Sequence, residues 1–148
     1  MIEFNLKNIE IEKFEIDNNV ELPEDLDIQY TITPALGVGE IEENIIACRI
    51  THEYLKNNVS FVFSNTVGLF KIDPKSWNEM IDSNQGIIII PREFALYLRS
   101  IVVGALRGII IAKLEKTKYS KLVLPLMSPK EMFAIDRDVV IKFYKSEK

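Results

Sequence analysis

Residues 86–127 read GIIIIPREFALYLRSIVVGALRGIIIAKLEKTKYSKLVLPLM, and the fold turns on the change of period inside them. Pro91 suits a first helical turn, where its missing amide is not needed. Phe94, Leu98, Ile101, Val102 and Ala105 then recur at helical spacing, with Arg92, Arg99 and Ser100 off the stripe. Leu96, Tyr97, Val103 and Leu106 widen its apolar girth beyond what one sheet covers. Gly108 is expected to stop the helix. Ile109–Leu114 reads as strand or helix, and Ile87–Ile90 as extended or helical. Pro125 makes Leu122–Leu126 an extended segment. Ser128-Pro129-Lys130-Glu131 is a capping box, so a shorter helix is expected through about Ile135. Asp138–Tyr144 alternates weakly and stays unassigned. Nothing here resembles an active site; the stretch offers apolar surface, which points to binding rather than catalysis.

Upstream the period is that of strands. Phe4 and Leu6, Ile9 and Ile11, then Phe14 and Ile16 alternate with polar residues, and the parity slips twice, as in a bulged strand. Leu26, Ile28, Tyr30 and Ile32 alternate cleanly; Pro34–Glu43 reads as a loop. Ile46, Cys48, Ile50, His52 and Tyr54 share one face of a third strand. Asn57-Asn58 signals a hairpin. Val59–Ile72, closing on Gly68-Leu-Phe-Lys-Ile72, is a fourth strand with a shift expected near Gly68. With no helix between them, these strands read as an antiparallel meander. Ser76 is expected to cap a short helix reaching about Met80.

The 148 residues make one domain, 1–148, with 47% hydrophobic and 27% charged side chains, a globular composition. The net charge of −4 attracts neither nucleic acid nor anionic membranes. Charge is uneven: residues 1–43 hold twelve acidic and two basic side chains, and residues 44–148 hold ten and sixteen. The two halves can neutralise each other or form a charged docking face. Cys48 has no disulfide partner. The start lacks a signal-peptide pattern, and no uncharged run approaches the ~18 residues of a membrane helix. A cytoplasmic protein without membrane insertion is expected.

Sites for chemistry are sparse. Cys48 and His52 stand four residues apart, roughly 13 Å along a strand, too far to share a metal ion. No phosphate loop is present, and no cofactor is expected. Gly104 and Gly108 suit close packing or a helix end. Glu42-Glu43, and Asp136 with Asp138, read as solvated charge. Lys113, Lys116, Lys118 and Lys121 cluster beside Tyr119 alone, too few aromatics for a nucleic-acid site. What remains is apolar: Val20 and Leu22 in an acidic loop, Leu26, then Leu122, Leu124, Met127, Met132 and Phe133.

The order of these parts resembles the SecB-like export chaperones. Four strands ending in Gly-Leu-Phe-Lys-Ile, a helix entered through Ile-Ile-Pro and left at Arg107-Gly108, a Leu-Pro segment and a terminal helix cover roughly residues 4 to 135. The connection at Ile109–Lys121 is enlarged, and lysines replace the family's acidic tail. The resemblance implies an α+β fold: a four-stranded antiparallel sheet with a long helix and a shorter C-terminal helix on one face. It implies a homo-oligomer, a dimer of dimers, meeting through Phe94, Tyr97, Leu98, Ile101, Val102 and Ala105. It also implies a non-enzymatic, ATP-independent holdase for unfolded or nascent polypeptides, with protein export as one use. Clients would bind at Val20, Leu22, Leu26, Leu122, Leu124, Met127, Met132 and Phe133. For docking on the SecA motor only the acidic strands, with Glu10, Glu12 and Glu15, are at hand; an antitoxin client fits as well. Two alternatives are a non-catalytic scaffold and a small hot-dog-like acyl-binding enzyme using Glu93.

Overall fold

The computed structural model describes residues 1–22, 24, 28–39, 41–125 and 137–143. Its frame is a sheet of β1 (Phe4–Ile16), β2 (Gln29–Val38), β3 (Ile45–Lys56) and β4 (Val59–Ile72), with a single 3-10 turn at Ile41–Glu43 before β3. All neighbours are antiparallel, in the order β1-β4-β3-β2. The α+β expectation holds, but the meander does not. Strands β2 to β4 follow one another, whereas β1 crosses to the far side and pairs with β4, a Greek-key order.

The two parity slips in β1 are bulges, between Leu6 and Asn8 and between Ile11 and Lys13. They keep Phe4, Ile9, Phe14 and Ile16 packed on the core while Leu6 and Ile11 stay exposed. The hairpin at Asn57-Asn58 has φ of 52° and 64°, the left-handed pair that its turn type demands. β2 continues through Pro34 to Val38, residues read above as loop. It is an edge strand, where a residue without an N–H is tolerated. The shift expected near Gly68 lies instead at Phe61, since Leu55 faces Ser60 and Tyr54 faces Val62. The extra residue turns the Phe61 ring inward, onto Tyr54 and Tyr119.

Helix α1 (Pro74–Met80) is capped by Asp73, whose carboxylate accepts the Lys75 N–H at 3.2 Å. Ser76 is not the cap; its hydroxyl accepts the Glu3 N–H at 3.0 Å and ties α1 to β1. Ile87–Ile90 is extended: it forms β6 between β5 (Ile81–Asp82) and β7 (Val139–Lys142), a second, three-stranded sheet that the sequence reading missed. Within it Ile88 and Ile90 are buried and Ile89 is exposed, the two-residue period of a strand.

Helix α2 (Arg92–Leu114) runs straight through Gly104 and Gly108. The expected stop fails because Ile110 and Leu114 extend the four-residue stripe of Phe94, Leu98, Val102 and Leu106, and all six lie in the core. Burial of this face outweighs two glycines at about 1 kcal/mol each. Pro91 holds the N-cap position, and the Arg92 N–H is satisfied by Asp138 Oδ1 at 2.9 Å, from the residue just before β7. The helix packs on the face of β3 and β4 that carries Ile46, Cys48, Ile50 and Phe70. By length and a mean hydropathy of 1.8 over eighteen residues it is long and apolar enough to cross a membrane, and 44% of that stretch is buried in the fold. The expected helix after Ser128 lies outside the described residues.

Candidate functional site

Where α2 ends, the chain turns twice and comes back. Thr117 and Leu122 donate backbone N–H groups to Leu114 and Tyr119, and the Arg107 guanidinium donates to the Pro125 carbonyl at 2.9 Å. The segment 119–125 is therefore a strap returning beside the last two turns of α2. Leu122 is 6% exposed, Val123 60% and Leu124 5%. Leu122 and Leu124, two of the client-binding candidates, are core residues. Periodicity could not reveal this, because the strap has no helix or strand partner to announce its buried face.

Tyr119 fastens the strap to the loop after β1. Its ring is fully buried against Phe61, with centroids 4.9 Å apart. Its hydroxyl accepts the Val20 N–H at 3.2 Å and lies 2.6 Å from the Asp17 carbonyl and 2.8 Å from that of Val20. One phenol has one proton, so it donates to one carbonyl at a time. Lys118 adds an ion pair to Glu21 at 3.0 Å, and Lys56 donates to the Glu21 carbonyl. Val20 and Leu22 are half-buried against the same core as Leu122 and Leu124. Tyr119 joins the strap to Val20, and these four client-binding candidates all pack on the one apolar core. Leu26, Met127, Met132 and Phe133 lie outside the described residues. Tyr119 was passed over above as an aromatic beside lysines; no local signal marks its reach to a loop about a hundred residues away.

The candidate interface residues divide. Phe94, Leu98 and Val102 face the sheet of their own chain and are buried there. Tyr97, at 55% exposure, with half-buried Ile101 and Ala105, looks outward. Ile111, Val59 and Val140 are further exposed apolar side chains, none of them among the candidate site residues.

The polar candidates carry no assembled chemistry. His52 is fully buried. Its Nδ1 is 3.4 Å from Ser64 Oγ, its ring stands edge-on to Tyr54, and burial pushes its pKa down to about 4. Ser64 is fully buried with it. Burial pushes the Cys48 thiol up to about 12, against the opposing pull of Arg99. Among the described residues no group of three metal-ligating side chains converges. Glu93 is exposed in the first turn of α2. On β1, Glu12 forms a two-pronged bridge to Arg49, at 2.7 and 3.2 Å, and Glu15 meets Lys13 at 3.2 Å. That hydrogen bonding, and secondarily the charge of Arg49, holds the Glu12 carboxyl below its usual range against its slight burial. The acidic strand is partly neutralised by its own neighbours.

No protein-family model and no curated protein matches the sequence. Among solved structures the chain is similar to a SecB-like chaperone of Mycobacterium tuberculosis in complex with a ChAD peptide from the HigA1 antitoxin. The two share 11% identity and a TM-score of 0.57 over 84% of this chain and 91% of that one. It also aligns with a protein of unknown function from Streptococcus agalactiae at 13% identity, covering 85% of this chain and 99% of that one, with a TM-score of 0.33, too low to carry an argument. The first likeness is one of fold: a four-stranded antiparallel sheet and long helix arranged in the SecB-like way.

Proposed function

We propose that this protein is an ATP-independent, cytoplasmic chaperone that holds unfolded polypeptide. The observation that carries this reading is the fold shared with a chaperone solved with an antitoxin peptide. It is supported by β2, an edge strand of the sheet among the described residues, on which an extended client can pair its backbone, and by apolar side chains left exposed around α2 and the hairpin. Many weak contacts along a long client give avidity without sequence specificity. The clients include nascent chains or an antitoxin; docking on SecA finds less support, since Glu12 and Glu15 are already paired. Tyr97, Ile101 and Ala105 are proposed to meet a second copy of the chain in a homo-oligomer. Holding requires no catalysis.

The test is suppression of aggregation of a reduced, unfolded client without nucleotide. A stoichiometric delay of light scattering is expected. Absence of any delay with several unrelated clients would remove the reading and leave the oligomeric scaffold. Acyl-thioester hydrolysis lost on Glu93→Gln would favour the acyl-binding enzyme.

A further inference from the structure

The strap that closes the core has the form of a bound peptide. Leu122-Val123-Leu124-Pro125 belongs to no helix and pairs with no strand. Among the described residues its one backbone-to-backbone hydrogen bond is the turn from Leu122 to Tyr119. Alternate side chains point in, out and in, as in a peptide seated by side-chain pockets. The segment is held at its ends: by the Tyr119 hydroxyl on the Asp17 and Val20 backbone, and by Arg107 on the Pro125 carbonyl. A piece of chain anchored by side chains and two end clamps comes out without breaking a ladder of backbone bonds.

Resting on the holdase reading above, we infer that Leu122–Pro125 is a built-in competitor for a client channel. The channel accepts an extended peptide with large apolar side chains two residues apart, and such a client enters by displacing the strap. The pattern of the client is that of the resident. The residue between the two anchors faces solvent and is unrestricted in kind. Lys113, Lys116 and Lys121 stand exposed around the strap, so acidic residues flanking the apolar pair are favoured by charge complementarity. The leucines of client and strap exchange one for another. Apparent affinity is then the intrinsic affinity multiplied by the fraction of molecules with the strap released.

This fixes the sign of an experiment. The probes are a labelled peptide, Ser-Glu-Leu-Val-Leu-Pro, its counterpart with both leucines replaced by aspartate, and a reduced unfolded client. Each is titrated against the full chain and against Tyr119→Phe, which keeps the ring on Phe61 and removes the hydroxyl clamp. The leucine peptide and the client are expected to bind about tenfold more tightly to the variant, and the aspartate peptide to neither protein. Arg107→Met, which releases the other end, serves if Tyr119→Phe fails to fold. In a Leu124→Cys variant the new thiol is expected to react about tenfold faster with the peptide at saturation, since a released strap is open to reagent. Unchanged or weaker binding to a folded clamp variant, or a thiol no more reactive with peptide bound, overturns the competitor while leaving the holdase reading in place if the wild type protects clients. Failure of wild type and variants alike to bind or protect any client overturns both.

Discussion

Gly68 of β4 and Val102 of α2 meet so closely that no side chain fits between them. A Cβ on Gly68 would stand 2.6 Å from Val102 Cγ2 and 2.9 Å from the Phe70 ring. The glycine is there because the helix needs the room. Gly68→Ala is expected to destabilise the fold by about 1–3 kcal/mol, the cost of overpacking a filled core. Gly104→Ala, where an added Cβ meets nothing, is expected to stabilise by about 1 kcal/mol through helix propensity. Urea midpoints of the two variants should move in opposite directions.

His52 predicts a pH dependence. Its folded pKa of about 4 lies below the ordinary 6.5 because burial disfavours the imidazolium. Between those values the unfolded chain binds the proton and the folded chain does not. Stability is therefore full above about pH 6.5 and falls as pH drops toward 4, by roughly 3 kcal/mol in all. His52→Phe should remove that part of the slope. A variant as pH-sensitive as the wild type across this window would show that His52 is not its source.

Cys48 should be silent to thiol reagents in the native state. It is fully buried and its pKa is pushed up to about 12, so almost no thiolate is present near neutrality. Labelling is expected to follow unfolding, with a rate that rises with denaturant. Rapid labelling of native protein would mean that the sheet opens beneath α2.

The Glu12–Arg49 bridge spans β4 from β1 to β3 on the solvent face. Both partners are largely exposed, so the pair is screened despite its good geometry. Glu12→Gln is expected to cost about 0.5 kcal/mol at low salt and to become neutral near 1 M salt. A cost independent of salt would point to packing over Val67 rather than charge.

Much of the frame was legible along the chain. The two slips of β1, the left-handed hairpin at Asn57-Asn58 and the apolar stripe of α2 all appear as local patterns, and all are present in the structure. The failures share one form. Gly108 is a helix breaker by propensity, but Ile110 and Leu114 had a sheet to cover. Pro34 is a strand breaker, but β2 is an edge. Tyr119 and Asp17 are about a hundred residues apart, and nothing near either names the other.

Period along the chain marked by itself the strands, the long helix and which residues of each are apolar, while the α+β arrangement came from the resemblance and the spacing of Cys48 and His52 argued against a shared metal ion. Only the tertiary structure decided that β1 lies beside β4 and that Leu122 and Leu124 are covered by their own chain. Periodicity records how one element divides between water and core; which distant segment supplies that core is settled by the packing of the whole chain.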